Sequence, residues 1–320
     1  MKRIGVVTSG GDAPGMNAVI RAIVRRAIPM EMKVIGFENG YSGLIADENR
    51  PLNLRSVSGI INFGGTFLGS RRCPEFKTEE GLKKALVNLK KHEITDLIVI
   101  GGDGSLNGAL DLSRFDSINV YGVPCSIDND VYGTDETVGF DTAVNTALWA
   151  IDRIRDTATS HRRVFVVEVM GRKRGFLALS VGLAAGSEKI LVPEVKVDIE
   201  EVLELLENNR KKGKKSNIIV AAEGVGDLRM FTQKIHRKTG YDVRLSVLGY
   251  IQRGGSPTAR SRILANLFGS EVVRMVEFEN KNRVVGLLNG KVTSTGLEEA
   301  CEKKKPLDLD LLRLTEQLAT

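Results

Sequence analysis

The 320-residue sequence is poor in cysteine. Its three thiols, Cys73, Cys125 and Cys301, are far apart, odd in number and form no C-x-x-C pair. A disulfide framework and a zinc site of ordinary ligand spacing are thereby excluded. Aromatic residues make up only 5%, with Trp149 the single tryptophan, too few for stacking platforms on single-stranded nucleic acid. No apolar run approaches membrane-spanning length. Nor is there a secretory leader pattern, since Met1-Lys2-Arg3 runs straight into a strand-like stretch. The expectation is a soluble, cytoplasmic protein with no membrane partner. A phosphate-binding G-x-x-x-x-G-K-[ST] loop is missing as well.

Apolar residues make up 42%, enough for ordinary globular cores, and the length fits two domains. The formal net charge is +6, which favours acidic partners without saying which. Most cations read as solvated lysines on helix faces. Lysine clusters at 211–215 and 303–305 sit in no nucleic-acid motif, and no nucleic-acid partner is expected.

Short apolar runs alternate with helix-period segments. Strands are predicted at 4–8, 33–37, 96–100 and 119–123, with helices at 16–28, 79–92 and 107–112. A second set follows: strands at 163–169, 189–192, 217–222 and 243–249, and helices at 142–157, 176–185, 199–212, 232–239 and 261–278. This alternation predicts parallel sheets with helices on both faces. A domain boundary is placed near residue 138.

Three predicted strand ends carry glycine and aspartate together, where ligands of open α/β sheets bind. The first is Ser9-Gly10-Gly11-Asp12-Ala13-Pro14-Gly15. Glycines let backbone N–H groups approach an anion, and the helix behind them adds a favourable dipole. The alternative is a tight strand-to-helix turn without a ligand. The second turn is Gly101-Gly102-Asp103-Gly104-Ser105, where Asp103 is suited to Mg²⁺ or, alternatively, to capping a helix. The third is Pro124-Cys125-Ser126-Ile127-Asp128-Asn129-Asp130. Its carboxylates point the same way if the backbone is extended. One can then take a proton from a hydroxyl while the other binds metal or orients the loop, or both are structural.

Together these turns resemble the bacterial ATP-dependent phosphofructokinase family. So do Arg71-Arg72-Cys73-Pro74-Glu75-Phe76, Gly133-Thr134-Asp135, Gly139-Phe140-Asp141-Thr142-Ala143, Val169-Met170-Gly171-Arg172, Glu223-Gly224-Val225-Gly226 and Ile251-Gln252-Arg253-Gly254-Gly255-Ser256-Pro257. The ordered set covers nearly the whole chain. The resemblance implies two similar three-layer α/β/α domains with mainly parallel sheets and a cleft between them. They would comprise 1–138 with about 251–300, binding ATP, and 139–250 with about 301–320, binding the sugar phosphate. It further implies a homotetramer with active sites shared between subunits.

The implied reaction converts ATP and fructose 6-phosphate to ADP and fructose 1,6-bisphosphate, with Mg²⁺ on Asp103. Gly11, Arg72 and the Gly102, Asp103, Gly104, Ser105 turn would hold the ATP phosphates, with Cys73 and Gly108 near the nucleoside. Asp128 matches the catalytic base, Asp130 its companion, and Ser126 a position usually held by threonine. Arg172 would stabilise the transferring group. Arg163 and Arg244 would reach the 6-phosphate from a neighbouring subunit, with Arg253 on the same phosphate. Met170, Gly171 and Glu223 would line the sugar. An effector site for ADP or phosphoenolpyruvate would use Arg21, Arg25, Arg55, Arg155, Gly186, Glu188, Lys212 and Lys214. An inert basic subunit interface is the alternative.

Several positions depart from the family pattern. Tyr250 replaces a usual histidine on the sugar phosphate. Cys125 stands where ATP users have glycine and pyrophosphate users have lysine. Together with Gly104, where pyrophosphate users tend to carry aspartate, this favours ATP. Lys173-Arg174-Gly175-Phe176 adds two cations and removes a carboxylate, for which tighter phosphate binding is the expectation. Gly59 and Ser216 alter the effector site. The rivals are a pyrophosphate-dependent enzyme and a regulatory paralogue with weak activity.

Overall fold

In chain order the strands are β1 (Arg3–Thr8), β2 (Lys33–Phe37), β3 (Asn49–Leu52), β4 (Asp96–Gly101), β5 (Asn119–Ser126), β6 (Val138–Gly139), β7 (Val164–Val169), β8 (Lys189–Leu191), β9 (Asn217–Ala222), β10 (Val243–Val247), β11 (Arg283–Leu288) and β12 (Lys291–Gly296). The helices are α1 (Met16–Ala27), α2 (Tyr41–Ala46), α3 (Glu79–Lys91), α4 (Asp103–Ser113), α5 (Phe140–His161), α6 (Phe176–Ala184), α7 (Ile199–Lys211), α8 (Leu228–Thr239), α9 (Ala259–Glu277), α10 (Leu297–Glu302) and α11 (Leu309–Leu318). The computed structural model describes residues 2–319. They form two compact units, 2–142 with 253–305 and 143–252 with 306–319.

The first unit is built on a sheet in the order β12-β11-β5-β4-β1-β2-β3, with β6 paired to β5. Its central strands are parallel, and antiparallel β12 and β3 close the edges. β1 leads through α1 to β2 on one side, while β4 leads through α4 to β5 on the other. Right-handed crossovers in opposite directions put those two helices on opposite faces. Leu97 and Val99 of β4 join one cluster with Leu106, Ala109 and Leu112 of α4 and Ala85 and Leu89 of α3. Ile98 and Ile100, also fully buried, alternate onto the other face. Burial on both faces explains why these strands read as unbroken apolar runs. The strand order reverses between β1 and β4, and such a switch point opens a crevice beyond the strand ends.

The second unit has an all-parallel sheet in the order β10-β7-β9-β8. Val164, Val166, Ile219 and Ala221 pack with Val202 and Leu206 of α7 and Leu228 and Ile235 of α8. Here the order reverses between β7 and β9. α11 packs on α6 and β8, and Lys189 of β8 bridges Glu201 (3.2 Å) and Glu316 (2.5 Å).

Two elements differ from the sequence reading in a way that matters for the site. The helix predicted at 107–112 begins at Asp103, because Gly102 is still extended (φ −88°, ψ −169°) and the next residue turns helical at once. The strand predicted to stop before Pro124 continues to Ser126. Pro124 sits opposite Gly101, and Cys125 and Ser126 then pair with Val138 and Gly139 of β6. Proline lacks a donor for the ladder, so its place near the strand end costs little. Among the described residues no helix is long and apolar enough to cross a membrane.

Candidate active site

The three glycine–aspartate turns of the first unit lie side by side, because β1, β4 and β5 are neighbours. Ser9 N–H donates to the Ile100 carbonyl (3.0 Å), tying the first turn to the end of β4. A Cβ on Gly101 would stand 2.6 Å from the Ser9 carbonyl oxygen and from Ser105 Oγ, and one on Gly10 (φ +85°) 2.8 Å from the same Oγ. Glycine is required at both positions to let the turns touch. A Cβ on Gly102 would meet Ser126 at 3.3 Å, which brings the second turn against the third. Ser105, expected on the nucleotide, is buried beneath this contact. Around Gly104 there is open space, and Arg72 is exposed.

α4 starts here with no side-chain cap, leaving its first N–H groups and its dipole to face an anion. Exposed Asp103 is the first residue of α4, and Asn107 Nδ2 reaches its Oδ1 (3.3 Å) and carbonyl (2.9 Å). Behind α4 the rings of Tyr41 and Phe76 stack at 3.8 Å against Gly108, where a Cβ would be 3.0 Å from the Tyr41 ring. Tyr41 donates its hydroxyl to the Ser105 carbonyl (2.6 Å). Burial first, then neighbouring Cys301, pushes its phenol well above its ordinary value. Cys73 is half-buried and packs against the same core, as does Cys301. Burial and then the charge of Asp103 push the Cys301 thiol up to about 12. Burial alone raises Cys125, so that thiol stays protonated.

In the third turn Asp128 N–H donates to Ser126 Oγ (3.1 Å), and Thr137 Oγ1 donates to the Ser126 carbonyl (2.6 Å). Asn129 adopts φ 53°; its side chain accepts from Thr137 N–H (2.9 Å) and donates to the Asp135 carbonyl (3.1 Å). The backbone is therefore not extended between the two carboxylates, and the alternation argument for Asp128 and Asp130 does not hold. What holds this loop is Asn129 and Thr137, which the sequence reading did not single out. Asp128 is buried and Asp130 half-buried.

The family's sugar residues fall at both ends of the second unit's sheet. Met170, Gly171 and Arg172 follow β7, and Glu223 follows β9, at the carboxyl-end switch point. Arg172 N–H donates to Glu223 Oε1 (2.7 Å), and Gly224 passes so close that a Cβ would lie 2.2 Å from the Arg172 carbonyl oxygen. Arg163 immediately precedes β7, and Arg244 is the second residue of β10, so both sit at the opposite, amino end. There they share Asp242: Arg163 Nε at 2.6 Å and Arg244 Nε at 2.9 Å. The Arg163 hydrogen bond is the main cause that holds the Asp242 carboxyl below its ordinary value. Asp242 was missed in sequence, although its D-x-R spacing to Arg244 was a usable signal. Six strand residues at about 3.3 Å each separate the two ends by roughly 20 Å.

A family model described as Phosphofructokinase matches residues 3–276. The chain belongs to the phosphofructokinase family. It is 50% identical over 319 residues to the ATP-dependent 6-phosphofructokinase of Bacillus licheniformis and 53% identical over 321 residues to ATP-dependent 6-phosphofructokinase 1 of Thermus thermophilus, covering 100% of both chains in each case. The phosphofructokinase structure from Saccharomyces cerevisiae superposes with TM-score 0.87 at 34% identity, over 99% of this chain and 46% of the yeast one. A pyrophosphate-dependent phosphofructokinase from Marinobacter aquaeolei, at 23% identity and TM-score 0.84 over 98% and 91% of the two chains, shares the fold.

Two of the remaining departures of this phosphofructokinase-family chain, Arg174 and Gly59, have structural answers. Arg174 lies 3.5 Å from Glu194 and 5.2 Å from the centre of the Phe176 ring, so one of the two extra cations is turned toward its own carboxylate. Tyr250 is 81% exposed and not packed within the chain. Of the effector candidates, Arg155 donates to the Ala185 (2.6 Å) and Gly186 (3.2 Å) carbonyls. Buried Glu188 takes Lys214 (3.1 Å) and the Ile218 N–H. These four meet at the α6–β8 turn, with Lys212 exposed at the end of α7. Arg21 and Arg25 lie on α1 and Arg55 in an exposed turn of the first unit. Gly59 has φ +76°, a conformation that suits glycine better than the family's aspartate. Two cavities of about 480 and 300 Å³ in the second unit contain none of the expected site residues.

Proposed function

We propose that the chain catalyses transfer of the terminal phosphoryl group of ATP to the 1-hydroxyl of fructose 6-phosphate, giving ADP and fructose 1,6-bisphosphate, as a cytoplasmic step of glycolysis. The observation that carries this is the contiguity of three glycine turns at the ends of β1, β4 and β5, with Asp103 and Asp128 in adjacent turns. Gly11, Arg72, Gly102, Gly104 and the amino end of α4 take the donor phosphates, while Cys73, Ser105 and Gly108 shape the wall behind them. Asp128 accepts the proton of the sugar hydroxyl; Ser126 and Asp130 hold the loop and the incoming group. Arg172, with Met170, Gly171 and Glu223, stabilises the transferring group and the sugar. Such chemistry is mostly positioning and charge compensation.

The chain's residues fit a nucleotide-borne Mg²⁺. Among the described residues no cluster of three or more ligating side chains exists, whereas exposed Asp103 offers one hard carboxylate. That suits an ion held chiefly by phosphates and water. Bound there, the ion would neutralise charge on the donor phosphates.

Arg163 and Arg244 support a shared site. They stand roughly 20 Å along the sheet from Arg172, too far to serve the same sugar phosphate within one copy, so a neighbouring copy of a homotetramer supplies them. Tyr250 and Arg253 complete the acceptor set in this reading. ADP or phosphoenolpyruvate binding at Arg21, Arg25, Arg55, Arg155, Gly186, Glu188, Lys212 and Lys214 rests on the basic composition of those positions.

Donor choice is tested by initial rates with fructose 6-phosphate and either ATP or pyrophosphate. Fructose 1,6-bisphosphate should form with ATP and Mg²⁺ at a far higher rate than with pyrophosphate. A faster pyrophosphate rate would reassign the donor, and no product with either would leave the regulatory paralogue.

A further inference from the structure

Arg172 is held in a conformation that its side chain does not favour. Its φ of 54° lies in the left-handed region, next to Gly171 at φ 132°. A bulky residue keeps such a backbone only where its surroundings fix it. Two carboxylates do so from opposite ends of the turn. Glu223, after β9, takes the Arg172 N–H at the near end (2.7 Å). Glu194, in the loop after β8, takes the Gly175 N–H at the far end (3.1 Å), and Arg174 Nε lies 3.5 Å from the same oxygen, Oε1. Between these anchors Arg174 N–H donates to the Gly171 carbonyl (2.9 Å) and closes the turn. The fit is tight: a Cβ on Gly175 would stand 2.8 Å from Glu194 Oε2 and 2.5 Å from Val192 Cγ1. The loop that supplies Glu194 is itself turned back, with Val195 N–H donating to the Val192 carbonyl (3.3 Å). The Glu194 side chain is only 18% exposed, and a carboxylate so shielded from water is a strong acceptor.

We propose that Glu194 is a positioning residue for Arg172. It pins the far end of the 171–175 turn, as Glu223 pins the near end, and so keeps Arg172 in the left-handed conformation from which it acts. The inference rests on the reading of Arg172 as the stabiliser of the transferring group and deepens it, because Glu194 works through the turn and not on the reacting atoms. Without its carboxylate the Gly175 N–H loses its acceptor, and the turn can relax toward right-handed backbone. A displacement of about 1 Å at a group that must meet a transition state costs up to about 100-fold in rate.

Steady-state rates of fructose 1,6-bisphosphate formation, normalised to folded protein by circular dichroism, test this. Glu194→Ala should lower kcat by roughly 10–100-fold and leave the KM for ATP unchanged. Glu194→Gln keeps an acceptor for the Gly175 N–H and should recover most of that loss. In an Arg172→Ala background, Glu194→Ala should cost nothing further, since residues that act as a unit are not additive. Three results overturn the inference: an unchanged kcat in Glu194→Ala, a loss in Glu194→Gln as deep as in Glu194→Ala, or the same further loss with Arg172 already removed. If Arg172→Ala itself keeps the full rate, the role given to Arg172 fails and takes the inference with it. If the unsubstituted protein forms no product at all, it is the proposed function that fails.

Discussion

Single carboxylates divide the chemistry. Asp128 is buried in a loop held by Asn129 and Thr137, whereas Asp103 is exposed on the first turn of α4. The buried group suits proton transfer and the exposed one suits a hydrated ion. Asp128→Asn keeps the shape and removes the base, so kcat should fall by ~10²–10⁴ with ATP affinity retained, measured by steady-state rates and direct binding. Both aspartates were legible in sequence because their turn chemistry is local. Glu194 was not, and of Asp242 only the local link to Arg244 was readable, since their other partners become partners only after strands and turns have been brought together. Asp242 serves Arg163, 79 positions away, and only the pairing of β7 with β10 joins them. Glu223 was legible as a site residue but not as the acceptor for the Arg172 N–H.

At the scale of elements, glycines decide how closely strand ends can approach. Gly101 and Gly104 lie three residues apart in one turn and should respond oppositely to alanine. At Gly101 the new Cβ would collide at 2.6 Å with Ser105 and the Ser9 carbonyl, and overpacking of this kind costs ~1–3 kcal/mol. At Gly104 nothing lies within 4 Å, and exchanging glycine for alanine in a helical turn stabilises by ~0.5–1 kcal/mol. Thermal denaturation should therefore show a lowered Tm for Gly101→Ala and an unchanged or raised one for Gly104→Ala. β1, β4, β5 and β9 were readable because burial on both faces makes them continuous apolar runs, whereas β6 and β11, which also pair parallel to β5, were not predicted. Nor were β3, β12 and their antiparallel pairing. β12, Lys-Val-Thr-Ser-Thr-Gly, is half-exposed along most of its length and carries no strong period.

The whole molecule divides into units whose cores are separate clusters. α11 is the last described helix, and it packs on α6 and β8 of the second unit. Its Glu316 meets Lys189, and Lys214 donates to the Ala319 carbonyl (3.0 Å). Removal of residues 306–319 should therefore weaken one unit selectively. Hydrogen exchange should speed up in β8 and β9 while β1, β4 and β5 keep their protection. Equal acceleration in both sets would mean that the units are energetically one.

The chain passes from one unit to the other at 142/143, 252/253 and 305/306. Neither half is a continuous stretch of polypeptide. No single cut of the gene yields a fragment that encodes one half whole and nothing of the other, so the two could not be swapped between relatives as cassettes. A ribosome that has released the first 142 residues has made neither core complete: the first still waits for α9 and the β11–β12 edge, and the second for everything it contains.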